Sequence, residues 1–126
     1  MICRTIFKIK GFFRHIKWFI QRGRRGYSDR DLWCFWDYLC DIIPPAMRWY
    51  IENGSACSPK FYDEGCTDDE CWKWNLILEN IAQGFEAIRE LDDKWLDAPD
   101  EVQKELTYKF EKGMKLLTIV FRNLWD

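Results

Sequence analysis

Apolar residues recur in steps of three and four along almost the whole chain, and this spacing constrains the fold more than any other feature. Ile2, Ile6, Ile9, Phe13, Ile16 and Ile20 form one stripe, widened by Phe12 and Phe19. Leu32, Trp36, Leu39 and Ile43 form a second, joined by Phe35 and Ile42. Trp74, Ile77, Ile81, Phe85, Ile88, Leu91 and Trp95 make a third, and Val102, Leu106, Phe110, Gly113, Leu117, Val120 and Leu124 a fourth. A helix gathers positions i, i+3, i+4 and i+7 on one face, whereas a half-buried strand needs alternation of period two. No segment alternates in that way. The spacing predicts an all-α fold, an antiparallel bundle of about four principal helices in one domain over residues 1–126.

Turn and cap residues divide the stripes. Gly23 and Gly26 break the first, so its helix is expected over about 2–21, packing on or extending from the rest. Ser28, with Asp31 three residues on, reads as a capping box that opens a second helix near Asp29. Pro44 and Pro45 are expected to interrupt that helix, with Pro45 starting a short turn through Met47, Trp49 and Tyr50 that Asn53-Gly54 ends. Residues 54–66, rich in Ser, Gly, Pro and Asp, read as one irregular loop, and Thr67 with Glu70 as a second capping box. Pro99 is expected at the first position of the last helix.

Charge is segregated along the chain. Residues 1–25 hold eight of the 19 Lys and Arg (Arg4, Lys8, Lys10, Arg14, Lys17, Arg22, Arg24, Arg25) and none of the 21 Asp and Glu. A basic arm therefore precedes an acidic body, although the net charge is only −2. Such an arm points to an anionic partner, or to docking on acidic helices of the same chain. The stretch "RGRRGYSDRDLWCFWDYLC" concentrates the question. Arg22, Arg24 and Arg25 lead into Tyr27 and the Ser28 cap, where a helix N-terminus offers backbone N–H groups to phosphate. Arginine adds bidentate donors, and Tyr27 or Trp33 offers a ring for stacking. The candidate ligand-binding residues are Arg22, Arg24, Arg25, Tyr27, Ser28, Arg30 and Trp33. The expected partner is a host protein, a nucleic acid or a nucleotide. A membrane surface is a lesser option, since Lys and Arg beside Trp18 and Phe19 fit an interfacial helix.

Catalytic and metal chemistry find little support. Cys57, Cys66 and Cys71 are spaced C-x8-C-x4-C and Cys34 and Cys40 C-x5-C, without the close pair that zinc sites favour. The single histidine, His15, stands among Arg14 and Lys17, and there is no Gly-x-Ser-x-Gly elbow or phosphate-binding glycine loop. No cofactor is expected. The enzyme alternative is a magnesium-dependent all-α nucleoside triphosphate pyrophosphatase, because Glu90 and Asp93, near Glu86, match one E-x-x-D element. Its companion element has no match, since Asp68-Asp69 is followed by Trp72 where a further acid is wanted. Six cysteines would suit a disulfide framework, but Lys or Arg interrupts the N-terminal apolar stretch too often for a signal peptide or a membrane-spanning helix. A reducing compartment and free thiols are expected.

"RGYSDRDLW", followed by "YL" and "IIP", then "WNLILENIAQGFE", then "KFEKGMKLL" and "FRNLWD", resembles an uncharacterised family of small helical proteins. That family is encoded by tailed phages, prophages and metagenomic viral sequences. The resemblance runs from about Arg25 to Asp126 and skips residues 54–66, where members often carry a Gly-Tyr-Pro-like stretch that this chain lacks. It implies a viral origin and expression in the host bacterial cytoplasm, and it brings no activity, cofactor or site. By analogy with other small helical phage proteins, the expected function is a non-enzymatic binding protein, such as a host-defence inhibitor, working through its arginine-rich turn. A virion or homo-oligomeric structural protein is the remaining alternative.

Overall fold

A computed structural model describes residues 2–53 and 71–124, with the side chains of 2–10, 71 and 123 outside the description. The fold is all-α, with no strand among the described residues. Helix α1 spans Ile2–Arg25, α2 Asp29–Trp33, α3 Phe35–Asn53, α4 Cys71–Asp93 and α5 Asp100–Val120, and a 3-10 turn follows at Phe121–Asn123. The chain forms two compact units, Met1–Tyr38 and Leu39–Asp126. The expected loop at 54–66, the capping box of Thr67 and Glu70, and Cys57 and Cys66 lie outside the described residues.

In the second unit, α3, α4 and α5 surround one apolar core. Cys40 and Met47 enter it from α3, Trp74, Leu78, Ile81, Ala82 and Phe85 from α4, and Val120 from α5. Ala87, Leu91 and Leu106 add a smaller cluster between α4 and α5. Partners across the helices fix their directions. Arg48 pairs with Glu79 and Glu86, and Asp41 with Arg89, so α3 and α4 are antiparallel. Leu91 packs with Leu106, while Gly84 lies against Gly113, so α4 and α5 are antiparallel too. The Tyr50 hydroxyl donates to the carbonyl of Leu124 at 3.2 Å, which ties the C-terminal end of α3 to the residue that follows the 3-10 turn. The expected antiparallel bundle is thus an up-down-up arrangement of α3, α4 and α5.

Two glycines set the α4–α5 spacing. A Cβ placed on Gly84 would stand 2.8 Å from the carbonyl oxygen of Lys109 and 3.1 Å from the Cα of Gly113. Only hydrogen at Gly84 lets the two backbones come this close, and a Cβ on Gly113 would be tight as well, 3.2 Å from the carbonyl oxygen of Asn80.

The expected break at Pro44 and Pro45 does not occur, since both lie inside α3. Each proline lacks the N–H that would bond back four residues, at a cost of about 3 kcal/mol or more. Pro44 is buried on the same face as Cys40 and Met47, and burial of that face offsets the local cost. The chain breaks instead at Cys34, with φ −128° and ψ 67°, where no glycine or proline signals it. The stripe expected of the second helix divides accordingly. Leu39 and Ile43 pack on the core, whereas Leu32, Phe35, Trp36 and Ile42 are exposed. The α4 and α5 stripes lie on the core as expected, except that Trp95, beyond the end of α4, and Val102 are exposed. Pro99 is the N-cap of α5, one residue before its expected place.

Candidate functional site

The first unit is a helix, a tight corner and a short second helix. Gly23 leaves α1 intact, contrary to expectation, because a glycine inside a helix costs only about 1 kcal/mol. Gly26 ends it. Its φ of +80° suits a residue without Cβ, and its N–H donates to the Arg22 carbonyl at 2.9 Å, the αL form of helix termination. Two residues later Ser28 caps α2 as expected. Its Oγ accepts from the Asp31 N–H at 3.4 Å, and the Ser28 N–H donates to Asp31 Oδ2 at 2.7 Å.

This capping box is also where the arginine turn is anchored. Arg22 Nε donates to Asp31 Oδ2 at 2.8 Å, and a second guanidinium nitrogen engages Oδ1 in a bidentate pair. The Ser28 hydroxyl adds a third donor to Oδ2, at 2.8 Å. Ser28 and Asp31 are both buried. The Arg22 guanidinium, aided by Ser28 and opposed by burial, holds the Asp31 carboxyl well below the usual aspartate range. Asp29 has its own set of donors. Gln21 Nε2 donates to it at 2.7 Å, Arg25 pairs with it, and Lys17 Nζ lies 3.3 Å away. Gln21 Oε1 in return accepts from the Asp29 N–H at 3.0 Å. Gln21 first, then Arg25 and Lys17, lower the Asp29 carboxyl to about 2. Arg25 Nε also donates to the Tyr27 carbonyl, with its guanidinium 4.8 Å from the Tyr27 ring. The Tyr38 hydroxyl donates to the Gly26 carbonyl at 2.8 Å.

The seven candidate residues therefore divide between the corner and its surroundings. Arg22, Arg25 and Ser28 hold the corner together, and Tyr27 lies beneath Arg25. Arg30 stands over the Trp18 ring at 5.3 Å. Trp33 is 91% exposed. Arg24 has no hydrogen-bond or ion-pair partner among the described residues, and it borders an open furrow with Phe13, Ile16, Lys17 and Ile20. Asp29, Asp31 and Gln21, which organise all of this, carried no sequence signal beyond the cap. Gln21 and Arg22 lie eight and nine residues before Asp29 and Asp31 across a turn, outside any helical register, and only Arg25 with Asp29 stands at a spacing of four.

Sequence reasoning also missed the direction in which the apolar stripe of α1 points. Gln21, Arg22 and Arg25 face α2, and Phe12, Phe13, Ile16, Phe19 and Ile20 are left exposed, Phe19 by 79%. Among the described side chains, Lys17 and Arg24 border the stripe on one side and His15 and Arg22 on the other, each pair seven residues apart.

Two of the acidic residues weighed for magnesium, Glu86 and Glu90, have cations for company. Arg48 lies between Glu79 and Glu86, held strongly in its charged form by both, with Glu86 the larger influence. The same guanidinium lowers Glu79. Lys94 Nζ sits 2.6 Å from Glu90 and lowers its carboxyl. Among the described residues no three His, Cys, Asp or Glu side chains group closely enough to hold a metal ion. No helix is long and apolar enough to cross a membrane, among the described residues. In comparisons with protein-family models, curated proteins and solved structures, nothing matches the chain.

Proposed function

We propose that this chain is a non-enzymatic binding protein that engages an anionic partner through the basic surface of its first unit. One observation carries the reading. On a helix that has eight Lys and Arg and no acid, Arg24 has no partner among the described residues and borders exposed Phe13, although α2 supplies two aspartates to Arg22 and Arg25. The binding residues are then Arg24 with Lys17 beside it, Arg30, and the exposed Trp33. Arg22, Arg25 and Ser28 act by holding the corner. The resemblance to phage-encoded proteins adds a setting to this proposal, the cytoplasm of an infected bacterium and the inhibition of a host defence.

Retention on an immobilised sulfated polyanion such as heparin tests the reading without knowledge of the natural partner. The double variant Arg24→Glu/Arg30→Glu should elute at clearly lower salt than the wild type, with an unchanged circular dichroism spectrum. Equal elution of the two proteins would overturn the proposal. Reversing Arg22 or Arg25 is a poorer test, because a carboxylate placed against Asp31 or Asp29 would open the corner itself.

A further inference from the structure

We propose that α1 is an interfacial helix that lies flat on an anionic lipid bilayer. This rests on the reading above and names its partner. The exposed face joins Phe12, Phe13, Ile16, Phe19 and Ile20 over more than two turns of one helix. Burial of such a face at the headgroup–acyl boundary is favourable, while a helix this polar overall stays in the plane of the interface. Charge selects the occupant. Lys17 and Arg24 flank the face beside Phe13 and Ile20, Arg22 and Arg30 flank it beside Phe12 and Phe19, and a plane of anionic headgroups meets both borders at once. A second copy laid on the same face would oppose two helices that carry only positive charge. The corner supports this orientation. By drawing Gln21, Arg22 and Arg25 towards α2, it turns the Phe and Ile side chains away and holds them exposed before any surface is met.

Flotation of the full chain with vesicles tests the inference. Vesicles of equal parts phosphatidylglycerol and phosphatidylcholine should carry the protein upward, and pure phosphatidylcholine vesicles should not. Phe12→Ser/Phe19→Ser should weaken partitioning at least about tenfold, since each ring removes apolar area from the buried face. The charge of this variant is unaltered, so its heparin retention should match the wild type. Phe12→Leu/Phe19→Leu should restore flotation. Wild-type protein that ignores the charged vesicles but is retained on heparin overturns the lipid assignment and leaves the anionic reading standing. Loss of both removes both. Flotation undiminished in Phe12→Ser/Phe19→Ser also overturns the assignment. A wild-type dimer that this variant dissociates, with no vesicle binding, would give the face to a second copy.

Discussion

The two units begin from the same pattern of apolar residues and use it in opposite ways. In the second unit the stripes of α4 and α5 meet around Leu78, Ile81 and Val120, and charged pairs such as Arg48 with Glu79 lie at the edge. In the first unit the polar side of α1 makes the fold, through Arg22 with Asp31 and Gln21 with Asp29, and the apolar side is left exposed. A helical stripe of Ile and Phe therefore identifies a helix and its apolar face. It does not say what that face is for. Where facing helices supply matching stripes, the face becomes core. Where the polar side of the helix meets a five-residue helix rich in Asp and Arg, the stripe remains available to something else.

The largest expected effect tests the apolar half of this comparison. Ile81 is fully buried, so Ile81→Ala should destabilise the second unit by about 2–5 kcal/mol in urea unfolding. A loss no larger than that of a surface substitution would show that α3, α4 and α5 do not share this core. Gly84→Ala follows, at about 1–3 kcal/mol, because the new Cβ meets backbone atoms of Lys109 and Gly113, which cannot rotate out of the way. If Gly84→Ala were instead as stable as the wild type, the close α4–α5 crossing would be wrong.

The two units also differ in how much could be read from the residues. Ser28 with Asp31 and the C-terminal role of Gly26 were legible because caps are local, fixed by neighbours within a turn. The faces of α4 and α5 were legible because a long regular stripe has one periodicity to obey. Pro44 and Pro45 misled because their penalty is local, while the burial of Pro44 that overrides it is tertiary. The break at Cys34 had no signal of any kind. The candidate site was legible in position but not in arrangement. That arginines cluster at the corner was plain, but which of them would be taken by Asp29 and Asp31 depends on the path of the turn.

A middle-sized effect tests the polar half. Asp31→Ala removes the acceptor of the Ser28 N–H, the Ser28 hydroxyl and Arg22 together, and leaves buried donors without a partner. Destabilisation of the first unit by about 1–3 kcal/mol is expected, visible as faster hydrogen exchange at residues of α2 and the last turn of α1. Acid should act on the same corner. Asp29 and Asp31 ionise more readily in the folded unit than in the unfolded chain, so their stabilisation is complete above the ordinary value near 3.8. It is lost as pH falls, through about 2 for Asp29 and lower still for Asp31. Carboxyl carbon resonances followed by NMR during acidification would check this, and an ordinary midpoint for Asp31 would mean that the Arg22 pair does not form.

The smallest expected effect is the most informative about the difference between the units. Phe19 is apolar, large and on the stripe, so by sequence it is the counterpart of Phe85, which is buried. In a core, Phe→Ala typically costs about 3–5 kcal/mol, as expected for Phe85→Ala. Phe19→Ala should change stability by no more than about 0.5 kcal/mol, because its ring meets solvent in the folded unit as well as in the unfolded chain. Urea unfolding of the two alanine variants side by side measures the contrast. A multi-kilocalorie loss at Phe19 would place its ring in a packed interior and remove the exposed face on which the lipid assignment depends. A negligible loss, together with impaired flotation, would separate the residues that bind from the residues that fold.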